Sequence, residues 1–149
     1  MIVRATHEHI EWIVRHRIEM FRSMGWTEED LLNTEEVTRS FLENEWTDNP
    51  EILLDVEADE ILGGVAINYS VRLPDNRNPT GKCAYVMNMY VEEEYRKKGI
   101  ATKLMEEVLK ICRGKSVGKV SLHATDMGER IYTKIGFKKS DNFYEVYLQ

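Results

Sequence analysis

The apolar positions change period several times along the chain, and each change marks an element. Ile2-Val3-Arg4-Ala5 alternates weakly and predicts a short strand. Thr6 is suited to cap a helix. Beyond it Ile10, Ile13, Val14, Ile18 and Phe21 recur at helical spacing as far as Gly25. A second helix is predicted after Thr34, with Val37, Phe41, Leu42 and Trp46 on one face. Asp48-Asn49-Pro50 stops it, because proline disfavours helix in the residue before it. The period then shortens to two. Glu51 to Val56 reads as a strand and Ala58-Asp59-Glu60 as its turn. Val65, Ile67, Tyr69, Val71 and Leu73 then alternate with Ala66, Asn68, Ser70 and Arg72, a half-buried strand. Pro74 to Gly81 is turn chemistry that closes a hairpin onto a strand from Lys82 to Val91. Ile100, Leu104, Val108 and Cys112, with Ala101, Met105 and Leu109 beside them, form the most amphipathic helix. Lys103 with Glu107 and Glu106 with Lys110 pair on its outer face. A strand from Val117 to Leu122, a helix from Met127 to Ile135 ended by Gly136, and a last strand from Tyr144 to Leu148 complete the pattern.

The order β-α-α-β-β-β-α-β-α-β predicts an α/β (α+β) fold with a mixed central sheet and helices on both faces. With 149 residues, positions 1–149 are expected to form a single domain. Two cysteines, Cys83 and Cys112, are too few for a disulfide framework or a zinc site, so they are read as buried packing residues in a reducing compartment. No apolar run approaches membrane-helix length and no signal-peptide pattern opens the chain, so a soluble, cytoplasmic protein is expected. His7, His9 and His16 show no metal-ligand spacing, and no metal is expected.

The formal net charge of −6 argues against general binding to nucleic acid or to an anionic membrane. It is unevenly divided. Residues 1–75 hold 17 acids and 6 bases, whereas residues 76–149 hold 9 acids and 14 bases. The basic half contains the most informative segment, Tyr90-Val91-Glu92-Glu93-Glu94-Tyr95-Arg96-Lys97-Lys98-Gly99-Ile100-Ala101. A strand ends, a short basic turn follows, and a strong helix begins at a glycine. Free N–H groups and the helix dipole favour an anion there, and Gly99 lets a ligand approach the backbone closely. The Walker lysine and the GxGxxG spacing are missing, so ATP and dinucleotides are poor candidates.

Arg96-Lys97-Lys98-Gly99-Ile100-Ala101 resembles the acetyl-CoA signature R/Q-x-x-G-x-G/A of the GCN5-related N-acetyltransferases. About thirty residues later, Leu122 to Phe137 is similar to that family's strand–turn–helix ending Y-x-x-x-G-F, here Tyr132 to Phe137. The element order also matches, so the resemblance covers essentially the whole chain.

This resemblance implies that the strand before the basic turn carries a bulge and splays from the next parallel strand, with acetyl-CoA in the gap. Met89, Tyr90 and Val91 would then offer backbone groups to the acetyl carbonyl and the pantetheine arm. Main-chain groups of Arg96, Lys97, Lys98, Gly99, Ile100, Ala101 and Thr102 would hold the pyrophosphate, and Thr125 would border the coenzyme. Tyr132 matches the family's tyrosine near the thioester sulfur. A phenol is protonated at neutral pH and can supply a proton to the departing thiolate. Phe21, Met24, Trp26, Leu31 and Asn68 are expected at the acceptor site. A dimer is also common in this family.

The general base is not assigned by the sequence. The strand from Lys82 to Tyr90 contains no carboxylate, and Glu92, Glu93 and Glu94 read as a solvated charged turn. Asn68, Tyr69, Tyr85 and Asn88 are candidates to position a water, and His123 has an imidazole suited to take a proton near neutral pH. The leading reading is transfer of an acetyl group from acetyl-CoA to a primary amine of a small molecule or peptide. The alternatives are transfer of a different acyl group, or a non-catalytic acyl-CoA sensor on the same fold. The acidic excess of residues 1–75, which should frame the acceptor, points to a cationic amine.

Overall fold

Among the described residues, five strands form one sheet in the order β1-β2-β3-β4-β5. They are β1 (Ile2–Arg4), β2 (Glu51–Glu57), β3 (Glu60–Val71), β4 (Lys82–Val91) and β5 (Lys119–Leu122). The first four run antiparallel to their neighbours, and β5 joins β4 in parallel. The described α-helices that cover the sheet are α1 (Ile10–Ser23), α2 (Glu28–Asn44), α3 (Ile100–Gly114) and α4 (Glu129–Ile135). The computed structural model describes residues 1–125, 128–140 and 142–148. The class is α+β, and no described helix is long and apolar enough to cross a membrane.

The sheet is buried on both faces, which explains the unbroken apolar run Ile52-Leu53-Leu54. Ile52 and Leu54 face α1 and α2 in a core with Ile13, Val14, Ile18, Leu31, Leu42 and Trp46. Leu53 turns the other way and packs with Val65, Ile67, Ala84 and Val86 against Leu104, Met105, Val108 and Cys112 of α3. Thus α1 and α2 lie on one face and α3 on the other, joined there by Tyr132, Ile135 and Phe137 from the α4 segment.

Several boundaries differ from the sequence expectation for local reasons. Thr6 caps a single 3₁₀ turn, His7–His9, whose His9 ring accepts in return from the Thr6 N–H; the α-helix proper begins at Ile10. α2 starts at Glu28 rather than after Thr34, because the Thr27 hydroxyl accepts from the Asp30 N–H and caps the helix there. The earlier start also changes its buried stripe. Leu31 and Leu42 point inward, whereas Val37, at 66% exposure, and Phe41 face out. The β2–β3 turn uses Ala58 and Asp59, both with left-handed φ, which fits a tight hairpin connection. α4 begins at Glu129; the Met127 expected to open it lies outside the described residues.

The expected last strand, Tyr144–Leu148, does not form. Tyr144, Val146 and Leu148 do alternate with Glu145 and Tyr147, but a period of two offers a face without supplying a partner. A strand exists only where another backbone pairs with it. Here Phe143, Tyr144, Val146, Tyr147 and Leu148 are 63% to 94% exposed, with no ladder partner among the described residues.

Candidate active site

β4 runs to Val91, but its parallel pairing with β5 spans only Cys83–Val86 against Lys119–Leu122. From Met87 onward β4 has no partner on that side among the described residues, so a wedge opens between the two strands. The parting coincides with a bulge. Met87 pairs with Ala66 and Tyr90 with Gly64, so β4 carries one residue more than β3 between those pairs, and Asn88 takes a φ of +57°. Asparagine tolerates that left-handed conformation better than most residues. Past the bulge the Glu92 N–H donates to the Leu62 carbonyl. Ladder bonding alternates along a strand, so Tyr90 also faces β3, and Met89 and Val91 turn their backbone groups toward the wedge. The Val91 carbonyl indeed points away from β3, accepting from Arg96 Nε at 2.9 Å.

At the wedge's wide end the chain makes one 3₁₀ turn, Glu93–Tyr95, and enters α3. Lys97 and Gly99 both have left-handed φ, +63° and +81°. Gly99 supplies no side-chain cap, and the first intrahelical bond runs from the Lys103 N–H to the Gly99 carbonyl. The N–H groups of Ile100, Ala101 and Thr102 therefore converge at a helix start with no protein acceptor among the described residues, the arrangement that suits an anion. A Cβ at Gly99 would meet nothing within 4 Å, so a ligand has open access to this backbone. Lys97 and Lys98 are exposed beside it, with the Lys98 ammonium over the Tyr95 ring. Arg96 instead folds back over the Tyr90 ring, 5.3 Å from its centroid. Lys103 also turns away, to the buried carboxylate of Asp55 at 2.9 and 3.0 Å. Burial alone would raise that carboxyl; Lys103 and the Met1 amine outweigh it and hold it low.

The α1 face of the wedge is built differently. Tyr85 of β4 sits beside Asn68 of β3 in the pairing register, and its hydroxyl is hydrogen-bonded to His123 Nδ1, just beyond β5. Arg17 of α1 reaches the bulge, its Nη1 3.5 Å from Asn88 Oδ1 and its guanidinium 4.9 Å from the Phe21 ring centroid. Phe21 stacks on Trp26 at 4.0 Å, and Met24 and Trp26 are exposed at the α1–α2 turn. Phe21, Met24, Trp26 and Asn68 thus lie on this side. Leu31 does not face an acceptor: it is 2% exposed and belongs to the core under α2. Tyr69 is also excluded from this face. It packs with the α3 layer and donates to Glu51 Oε1 at 2.6 Å.

Glu92 is a buried anchor rather than part of a solvated turn. Its carboxylate accepts two bonds from Arg15, Nε to Oε1 and Nη2 to Oε2, both 3.0 Å, which ties α1 to the end of β4. Arg15 holds the carboxyl below its usual range. His16, the next residue, is 1% exposed, with its ring 5.3 Å from that of Tyr90 and Nε2 3.5 Å from Glu92 Oε1. Glu93 and Glu94 are exposed, as expected.

Tyr132 lies half-buried on α4, edge-on to Phe137 with ring centroids 6.0 Å apart. Burial raises its phenol, so it stays protonated at neutral pH. The Thr125 carbonyl accepts from the Gly128 and Glu129 N–H groups and turns the chain into α4. Among the described residues, no group of three or more His, Cys, Asp or Glu side chains is arranged to hold a metal ion.

A strand bulged and splayed from a parallel neighbour, followed by an open helix start, agrees with the sequence comparison. Residues 16–137 match the profile of the Acetyltransferase (GNAT) family. The chain belongs to this family. The GNAT fold also relates it to solved structures. A GCN5-related N-acetyltransferase from Ralstonia eutropha JMP134 superposes with a TM-score of 0.90 at 23% identity, covering 99% of this chain and 97% of that one. A predicted acetyltransferase from Clostridium acetobutylicum, solved with acetyl-CoA, gives 0.82 at 23% identity, covering 99% and 95%. Among curated proteins, the human Cysteine-rich protein 2-binding protein is 33% identical over 67 residues. Those residues are 43% of this chain and 8% of that protein's length.

Arg17 is a residue of this GNAT site that the sequence reading does not single out, although it left a signal, and Asn88, a candidate to position a water, is also the bulge residue. Arg17 falls on the apolar stripe of α1, three residues after Val14 and four before Phe21, where a solvated arginine is out of place. Asn88 interrupts the apolar alternation of β4 at the residue that forms the bulge.

Proposed function

We propose that the protein is an N-acetyltransferase that moves the acetyl group of acetyl-CoA directly to a primary amine. The observation that carries this reading is the wedge between β4 and β5. It separates an amide cradle at the start of α3 from a polar pocket wall on the α1 face. Donor and acceptor would approach from opposite faces of the sheet and meet at the bulge.

The donor set fits coenzyme A. Three outward N–H groups, an open Gly99 backbone and the exposed Lys97 and Lys98 suit a pyrophosphate, and the Met89 and Val91 backbone suits the amide-bearing arm. When bound, acetyl-CoA supplies an acyl group activated as a thioester, which passes to the amine nitrogen as the sulfur departs as a thiolate. Tyr132, kept protonated by burial, serves as the acid that returns a proton to that thiolate. His123, braced by the Tyr85 hydroxyl, takes the proton that the ammonium form of the acceptor must lose. The Tyr85–His123 pair fills the place left by the carboxylate missing from β4.

The test is thiol release from acetyl-CoA across a panel of amino acids, peptides, amino-sugars and polyamines, with propionyl- and succinyl-CoA run in parallel. Amine-dependent release with N-acetylated product is the expected result. Tight acetyl-CoA binding without turnover of any amine would favour a sensor, and preference for another thioester would reassign the acyl group.

A further inference from the structure

All six bases among residues 1–75 are arginines, set among 17 carboxylates. Four are paired. Arg4 reaches Asp48 and Glu51, Arg15 reaches Glu92, Arg22 reaches Glu19 and Glu28, and Arg39 reaches Glu11 and Glu35. Arg72 lies exposed in the β3–β4 hairpin. Arg17 is the exception. It is half-buried, yet among the described residues no carboxylate stands within 4 Å of it. Among the described residues its hydrogen-bond and stacking contacts are the long bond to Asn88 Oδ1 and the face of Phe21, with the Tyr85 phenol nearby. A guanidinium has five N–H donors in a planar fork, so most of this fork is unengaged. Burial lowers its affinity for the proton, and the smaller opposing effect comes from the Tyr85 phenol rather than from a carboxylate.

The position of this cation is as informative as its solitude. Asn88 is the bulge residue, where β4 has just parted from β5. The coenzyme cradle is built from α3, which packs on the opposite face of the sheet. An anion held by Arg17 therefore arrives with the acceptor and not with the donor. Tyr85 and His123 flank the same wall, and Phe21 stacked on Trp26 adds an apolar surface.

We propose that Arg17 binds a carboxylate of the acceptor, so that the substrate is an amine that also carries an acid group, such as an α-amino acid. The fork accepts the carboxylate in bidentate fashion, and the amine, a few bonds away, is presented to the wedge. This assignment rests on the N-acetyltransferase reading above and names its substrate class.

The experiment compares common α-amino acids with their C-terminal amides and with the corresponding decarboxylated amines, in wild type and in Arg17→Gln and Arg17→Lys. In wild type, kcat/KM for the acids should exceed that for the amides by about 10- to 100-fold, the range of one charge-assisted bidentate contact. Arg17→Gln should remove most of that preference by raising KM for the acids, while KM for acetyl-CoA and for amines without a carboxylate stays within about twofold. Arg17→Lys should restore part of it, as a point charge without the fork. A melting temperature near wild type keeps the comparison clear of misfolding; if Arg17→Gln does not fold, Arg17→Lys and the wild-type acid-to-amide ratio carry the test. Equal use of acids and amides by wild type, or a preference unmoved by either substitution, would overturn the carboxylate assignment while leaving acetyl transfer intact. Failure to acetylate any amine would instead overturn both readings.

Discussion

His16 makes a sharp test of how the α1–β4 interface is built. Its ring is 1% exposed, and burial pulls its pKa from 6.5 down to about 4, against a weaker upward pull from Glu92. The unfolded chain takes up a proton near pH 6.5; the folded protein resists until about pH 4. The stability at stake is therefore fully present above about pH 6.5 and is lost as pH falls toward 4. At about 1.4 kcal/mol per pH unit the whole interval corresponds to about 3 kcal/mol, of which about 2 kcal/mol falls between pH 7 and pH 5. Glu11, Asp55, Asp75 and Glu92 are all held below their ordinary values, so their contributions are lost only as pH falls below roughly 4.5, and they leave that window clear. Urea unfolding followed by far-UV circular dichroism at pH 7 and pH 5 measures the loss directly. His16→Phe keeps a ring between Trp12 and Tyr90 and removes the proton site, and His16 Nε2 makes no hydrogen bond that would be forfeited. Wild type should lose about 2 kcal/mol between the two pH values and the variant less than about 0.5 kcal/mol. Parallel losses in the two proteins would refute the buried neutral imidazole.

The remaining predictions concern the cradle and the proton donor. Gly99→Ala should cost about 1–2 kcal/mol for the left-handed φ alone, because its Cβ meets nothing. Acetyl-CoA affinity by calorimetry should fall tenfold or more, and unchanged affinity would count against the cradle. Gly63→Ala should destabilise more, since its Cβ would stand 2.7 Å from the Tyr90 carbonyl oxygen and force the β3–β4 pairing to shift. Tyr132→Phe should lower kcat by about 10²- to 10⁴-fold, as expected of a general acid, with acetyl-CoA KM and melting temperature little changed. An unaltered kcat, with the chemical step shown to limit turnover, would remove the proton-donor role.

Most of the fold was legible because its elements carry strong periodicity. The α3 stripe Ile100, Leu104, Val108 and Cys112 is buried as written, and β4 spans Lys82–Val91 as read, although β3 ends at Val71, short of the Leu73 that the alternation reached. Structure and sequence expectation part where two local signals compete or where pairing needs a distant partner. Thr27 and Thr34 are both capping residues, and only packing of Leu31 into the core decides for the first. Tyr144–Leu148 has strand-forming residues and an alternating pattern, but no described backbone pairs with it. The cradle was legible because backbone chemistry at a glycine-started helix needs little tertiary information. Side-chain partnerships such as Arg15–Glu92, separated by 77 positions, depend on which helix face meets which strand end, and no local pattern encodes that.

The same distinction between composition and placement decides how the charge asymmetry should be read. The acidic excess of residues 1–75 favours a cationic acceptor only if those carboxylates face the wedge. Glu11, Glu19, Glu28 and Glu35 are instead paired with Arg22 and Arg39, and Glu29, Glu36 and Glu43 lie exposed on α2. Exposed charges are screened over roughly 8–10 Å at ordinary salt, whereas a half-buried one is screened far less. At the bulge, the charge that survives this weighting is positive, on Arg17. The cradle on the α3 face is positive as well, through the open N–H groups of Ile100, Ala101 and Thr102 at the helix start. A wedge with a half-buried cation on one face and an open helix start on the other suits two anionic ligands, which is what the proposed phosphorylated donor and acidic acceptor require.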